Sequence, residues 1–194
     1  MVGTDPLEVD RLLLAGLLAC PGCEQGLRPW GWARSRSVRE LTEVLVVRPR
    51  RSLCSGCACT HVLLPELLLA RRADTAAVIG EALTLKAIGR GHRWIAGMLD
   101  RPVGTVRAWL RRFACRAESI RVLFTGLLFV LDPEADGARP AGSLFADALE
   151  VVGLAAAAAV RMFGPRPAWQ FASSASSGLL LGPVTPAGVL GNTN

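Results

Sequence analysis

Two Cys-x-x-Cys pairs, Cys20-Pro21-Gly22-Cys23 and Cys54-Ser55-Gly56-Cys57, constrain this chain more than any other feature. A two-residue spacer lets one tight turn aim two sulfurs at the same point. Two such turns supply the four soft ligands of a tetrahedral zinc centre, each about 2.3 Å from the metal. Thirty residues separate the pairs, more than the roughly 15–20 usual between them. A longer hairpin, or an insertion between strands, is expected to take up the difference. Gly22 and Gly56 sit inside the two turns, where a positive φ is often needed. The competing reading is a redox dithiol, which wants a βαβ setting at a helix N-terminus. Cys20 instead follows a helical stretch and has a twin. The expectation is therefore one structural Zn2+ per chain, held by Cys20, Cys23, Cys54 and Cys57. Cys59 and His61 lie close enough to the second pair to replace a ligand. Cys115 reads as a buried apolar residue.

Around these turns the composition favours helices. The chain has 194 residues, 51% of them hydrophobic, and these are mostly Ala and Leu with few aromatics. The fold expected is mainly α with a small β zinc ribbon, followed by a helical domain and a disordered tail. Asp5-Pro6-Leu7-Glu8 has the form of a helix start, with a helix running to about Ala19. From Leu27 to Leu64, Trp30, Trp32 and the Val44–Val47 run are β-formers among arginines. Asp74-Thr75 caps a helix through Ala87, ended by Gly89 and Gly91. Helices over about 92–99 and 103–118 follow. Helical spacing continues over 119–131, Pro133 to Gly142 is a loop, and 143–163 is an Ala-rich helix. Domain boundaries are placed at 1–66, 72–118, 119–163 and a Gly-, Pro- and Ser-rich tail over 164–194.

The net charge of +6 is unevenly spread. Residues 86–121 carry +7, residues 28–51 carry +5, and the remainder sums to −6. Two basic blocks between acidic ends suit a polyanionic partner. The first block coincides with a second pattern. Ile95, Ala96 and Leu99 form one apolar face, and Val106, Trp109 and Leu110 resume it seven residues on. Two helices meeting at a tight turn require that step. An ordinary helical hairpin with a solvated basic face is the alternative. Read as a helix-turn-helix on duplex DNA, the segment puts Gly104, Thr105, Arg107, Ala108 and Arg111 near the groove. Arg107 and Arg111 are then placed to read guanine edges. Arg93, Arg101 and Arg112 are assigned to phosphates, which set register without carrying sequence information.

The motifs together carry a resemblance. Cys-Pro-x-Cys, Trp30-Gly31 with Arg34, Arg-Pro-Arg-Arg over 48–51, and Cys-x-x-Cys-x-x-Thr-His-x-Leu-Leu-Pro over 54–65 resemble the zinc ribbon opening many insertion-sequence transposases. Gly-Arg-Gly-His-Arg-x-Ile-Ala over 89–96 and Thr-Val-Arg-x-Trp-Leu-Arg-Arg-Phe over 105–113 are similar to the homeodomain-like helix-turn-helix of the same group. The resemblance spans roughly residues 15–165. It implies a transposase-like, DNA-binding protein of high-GC bacteria. Asp100 stands where the turn usually has Gly, at a position that often takes a left-handed conformation. Gly104 stands where a small polar residue is usual, weakening the helix start by about 1 kcal/mol.

Catalysis is not expected. A transposase nuclease needs an acidic triad on a many-stranded domain, and only 81 residues follow Phe113. Asp132, Glu134 and Asp136 lie beside Pro133 and Gly137, as a solvated loop does. Asp5, Glu8 and Asp10 ahead of a short apolar run make a poor signal peptide, and Val151–Val160 is too short to cross a bilayer. The functional expectation is a cytoplasmic, nucleoid-associated binder of double-stranded DNA, with no membrane partner and no small-molecule substrate. An RNA-binding or protein-interaction module stays open, as does a non-catalytic transposase subunit. Residues 143–163 serve equally well as a homodimer seam or as core.

Overall fold

Asp5 accepts a hydrogen bond from the Leu7 amide, and Pro6 needs no donor there, so α1 starts at Pro6. It ends at Leu14, not near Ala19, because Gly16 takes φ +68° and turns the chain toward the first Cys pair. The computed structural model describes residues 1–182. Five short strands follow: β1 Leu27–Trp32, β2 Arg36–Arg39, β3 Val44–Val47, β4 Arg50–Cys54 and β5 Thr60–Leu63. They make two antiparallel sheets, β1-β4-β5 and the hairpin β2-β3. The extra length between the Cys pairs is this hairpin, inserted between two neighbouring strands of the larger sheet.

The larger sheet buries one face only. Val9 and Leu13 of α1 pack with Leu27, Leu63, Cys20 and Cys54 in a cluster of six buried residues. Two of the six are cysteines of the paired motifs. Such a core is too small to hold a ribbon by apolar burial alone.

The helices form a second, much larger core. Thr75 caps α2 (Ala76–Ala87) by accepting from the Val78 amide. The neighbouring Asp74, expected to share that role, points elsewhere. α3 (His92–Met98) is followed by a tight turn in which Asp100 takes φ +51°, the left-handed conformation anticipated for it. α4 then runs unbroken from Val103 to Leu131. The boundary expected at 118/119 thus falls inside one helix. Ala117, Ile120, Phe124 and Leu128 extend the stripe begun by Val106 and Phe113, leaving no reason to break. α5 (Leu144–Phe163) is capped by Ser143 and lies along α4. Its buried stripe of Ala148, Val151, Val152, Ala155, Ala158 and Ala159 lets the helices approach closely, with Phe145 edge-on to Phe113 at 4.8 Å. The buried face of residues 143–163 thus serves the core.

The expected disorder from residue 164 is overturned as far as residue 182; residues 183–194 lie outside the described residues. α6 spans Ala168–Ala175. The buried Ser173 hydroxyl donates to the Leu68 carbonyl at 2.6 Å, and Leu180 and Leu181 join the core. Sparse aromatics hid this: Trp169 fills a notch over Gly80 of α2, where an added Cβ would lie 2.1 Å from ring carbons. Gly80→Ala is expected to cost about 1–3 kcal/mol by overpacking, more than the ~1 kcal/mol that Ala gains in a helix. Thermal denaturation checks it: Tm should fall, and Trp169→Leu should restore part of the loss. An unchanged midpoint would contradict the notch.

Candidate metal centre and nucleic-acid face

The first Cys pair lies between α1 and β1, and the second begins on the last residue of β4. β1 and β4 pair with Leu27 opposite Cys54, which sets the two turns side by side. The sulfurs of Cys20, Cys23, Cys54 and Cys57 all lie within 4.8 Å of one another. Cys20–Cys57 is 3.8 Å and Cys23–Cys54 is 3.3 Å. A tetrahedral ion with bonds of about 2.3 Å would hold its sulfurs about 3.8 Å apart. The four cysteines are positioned to bind a metal ion. Among the described residues no other group of His, Cys, Asp or Glu side chains meets that test.

The two turns are built alike. The Gly22 amide donates to Cys20 Sγ at 3.4 Å, as the Gly56 amide does to Cys54 Sγ at 3.3 Å. The positive φ falls not on these glycines but one residue past each pair, on Glu24 (61°) and Ala58 (57°). Gly56 is needed for space instead, since a Cβ there would sit 2.6 Å from the Gln25 side chain. The backbone amides of Cys57 and then Gly56 push the Cys54 thiol down to about 6. Cys57 goes the other way. Although the Cys59 backbone favours its thiolate, hydrogen bonds to the Cys54 and Cys23 sulfurs push it up to about 12. Four crowded thiols ionise together only around a cation, so the donor set fits a soft divalent metal.

His61 and Cys59 stand outside the four. His61 Nε2 approaches Cys20 Sγ at 3.4 Å, beside a ligand rather than in place of one. Cys115 is exposed on α4, contrary to expectation, because the buried stripe passes through Phe113 and Ala117 and leaves position 115 outside it.

The basic helices present a different arrangement. Ile95, Ala96, Leu99, Val106, Trp109 and Leu110 are all buried, so the apolar step across the turn is the contact between α3 and α4. Arg107 and Arg111 are exposed one turn apart on the opposite side of α4, and Arg93 is exposed on α3. Thr105 and Arg112 are half-buried on the flank. Arg112 is near enough to Arg72 that, after burial, its charge helps lower the Arg72 pKa.

Arg101 is not a surface residue, and its expected phosphate role does not hold. Its side chain is 7% exposed and its Nε is 2.6 Å from Asp74. Its other nitrogens donate to the carbonyls of Leu99, Asp100 and Glu40. Arg39 of β2 grips the second Asp74 oxygen at 2.7 Å. Asp74 thus clamps the inserted hairpin and the α3–α4 turn to the start of α2. No spacing rule marks it, because its partners lie 35 and 27 residues away. Asp132, expected in a solvated loop, accepts from Arg161, while Glu134 and Asp136 are exposed in the loop. Among the described residues no helix is long and apolar enough to cross a membrane.

No protein-family model matches this chain, and neither a curated protein nor a solved structure matches it.

Proposed function

We propose that the chain is a zinc-containing, sequence-tolerant binder of duplex DNA, related to the DNA-binding part of insertion-sequence transposases and acting without catalysis of its own. The observation that carries this reading is the exposed face of α4. Arg107 and Arg111 stand there one turn apart, just after a tight turn from α3, with the apolar faces of both helices buried behind them. A helix so supported can enter a major groove and set guanidinium forks against guanine edges. Gly104 ahead of the two arginines and Ala108 between them add little base reading, so modest specificity follows. Arg93 and Arg112 serve phosphates. Zinc in the thiol cluster is structural, since four cysteine ligands leave no open position for substrate.

Binding-site selection on random duplexes, followed by titration at several salt concentrations, tests the proposal. Arg107→Ala should cost about 1–3 kcal/mol on the selected site and relax preference at one position. Arg112→Ala should weaken all sequences alike and reduce the salt slope by about one. Equal losses on every sequence from both substitutions would remove the assignment of Arg107 to base reading. Absence of duplex binding by the metal-loaded chain would remove the function.

A further inference from the structure

The ribbon carries a second surface that duplex binding by α4 does not use. Paired residues point to the same side of an antiparallel sheet, and alternate residues along a strand share a face. Arg28 opposes Leu53, and Arg51 opposes Val62. Trp30 follows two residues after Arg28, at a bulge where the β1–β4 register shifts and Gly31 takes φ +97°. These five side chains therefore share the face turned away from α1, whose own residues cover Leu27, Cys54 and Leu63 on the other side. Trp30 is 54% exposed and Val62 52% exposed, and Arg28 and Arg51 are exposed.

Trp32, at the far end of β1 past the bulge, pairs with Arg50, itself opposite Leu63, and so belongs to the α1 side of the sheet; it is 39% exposed with the Arg48 and Arg50 guanidiniums 5.7 Å and 4.3 Å from its ring centre. Arg50 is neutralised by Asp10 of α1. Arg28 and Arg51 make no ion pair among the described residues, which leaves two unneutralised cations on the face that carries the exposed Trp30 indole. An apolar protein partner would have to desolvate those charges without compensation. A polyanion with flat faces satisfies both features, by pairing phosphates with guanidiniums and laying bases on the indole. Duplex DNA cannot do the second, because its bases are already stacked on one another.

We propose that the outer face of the β1-β4-β5 sheet binds single-stranded nucleic acid, with Trp30 as the stacking platform and Arg28 and Arg51 along the backbone. This surface is independent of the α4 assignment. The ribbon would hold an unpaired strand while the helices hold duplex, as at the junction between melted and paired DNA.

Fluorescence anisotropy of the full metal-loaded chain with labelled oligo(dT) of roughly 16 nucleotides tests the proposal, since one such site spans about 4–16 nucleotides. Trp30→Ala is expected to weaken oligo(dT) binding about tenfold or more, Trp30→Phe to retain most of the affinity, and Arg107→Ala to leave it within about twofold. A bromouracil-substituted oligonucleotide photocrosslinked to the unaltered chain should attach at Trp30, which keeps the test valid should a variant fold poorly. The proposal is overturned if the chain does not bind oligo(dT), if Trp30→Ala binds as well as wild type, or if Trp30→Phe is as weak as Trp30→Ala. Crosslinks confined to α3 and α4, or duplex competing equally through Trp30, would overturn it too. Failure of duplex binding with a Trp30-dependent oligo(dT) signal would reject the proposed function alone.

Discussion

Cys23→Ser should reduce bound metal from one equivalent per chain to near none and unfold the ribbon while leaving the helices in place. The ribbon's apolar cluster has six buried residues, two of them cysteines, so little remains to hold it once the thiols lose their cation. Metal binding to such a site contributes on the order of 10 kcal/mol or more of folding energy at neutral pH, against a total of about 5–15 kcal/mol for a typical domain. The helical core is built from separate residues between Leu69 and Leu181. Helix content by circular dichroism should therefore change little, whereas amides of residues 18–63 should lose exchange protection. Elemental analysis gives the first readout and hydrogen exchange the second. Retention of a full equivalent of metal in Cys23→Ser would reject the cluster as the binding site. A chelator should reproduce the ribbon's loss in the unaltered chain.

Asp74→Ala carries the second large effect. It leaves the Arg101 guanidinium buried without its anion, and removal of one partner of a buried pair costs about 3–5 kcal/mol. The Arg39 contact adds less, because Arg39 is 39% exposed. Urea denaturation should show a lowered midpoint with little change in slope. Replacing Asp74 and Arg101 together by apolar residues should be milder than the sum of the single changes, since neither then leaves a stranded charge. A loss in Asp74→Ala below about 0.5 kcal/mol, the size of an ordinary surface substitution, would mean that the clamp does not hold the turn.

Local signals in the sequence were read correctly where the chemistry is local. Asp5, Thr75 and Ser143 cap helices because each reaches an amide two or three residues away. The Cys pairs converge because their spacing and the intervening strands leave few other arrangements. The step from Leu99 to Val106 marks the turn because burial along α3 and the start of α4 is nearly periodic. What escaped is long-range. Arg101 looks like every other arginine in a basic block until the fold brings Asp74 and the Glu40 carbonyl to it. Order in 168–182 depends on Gly80 and Leu68, about a hundred residues earlier, while the segment's own composition reads as tail. The sequence divides 103–131 at about residue 118 because nothing in a helical stripe states its own length. Trp30 reads in the sequence only as a β-former, and strand pairing alone puts it beside Arg51 on an open face.

The inserted hairpin joins two closures of one stretch of chain. The thiol cluster ties residue 23 to residue 54, and the Asp74 carboxylate catches Arg39 in between. Each closure removes freedom that the other would otherwise have to remove. Metal affinity at the thiols is therefore expected to fall in Asp74→Ala, by the same factor by which metal loading strengthens the Asp74 grip. Metal titration of the wild-type chain and of Asp74→Ala checks this, and equal affinities would mean that the two closures act independently.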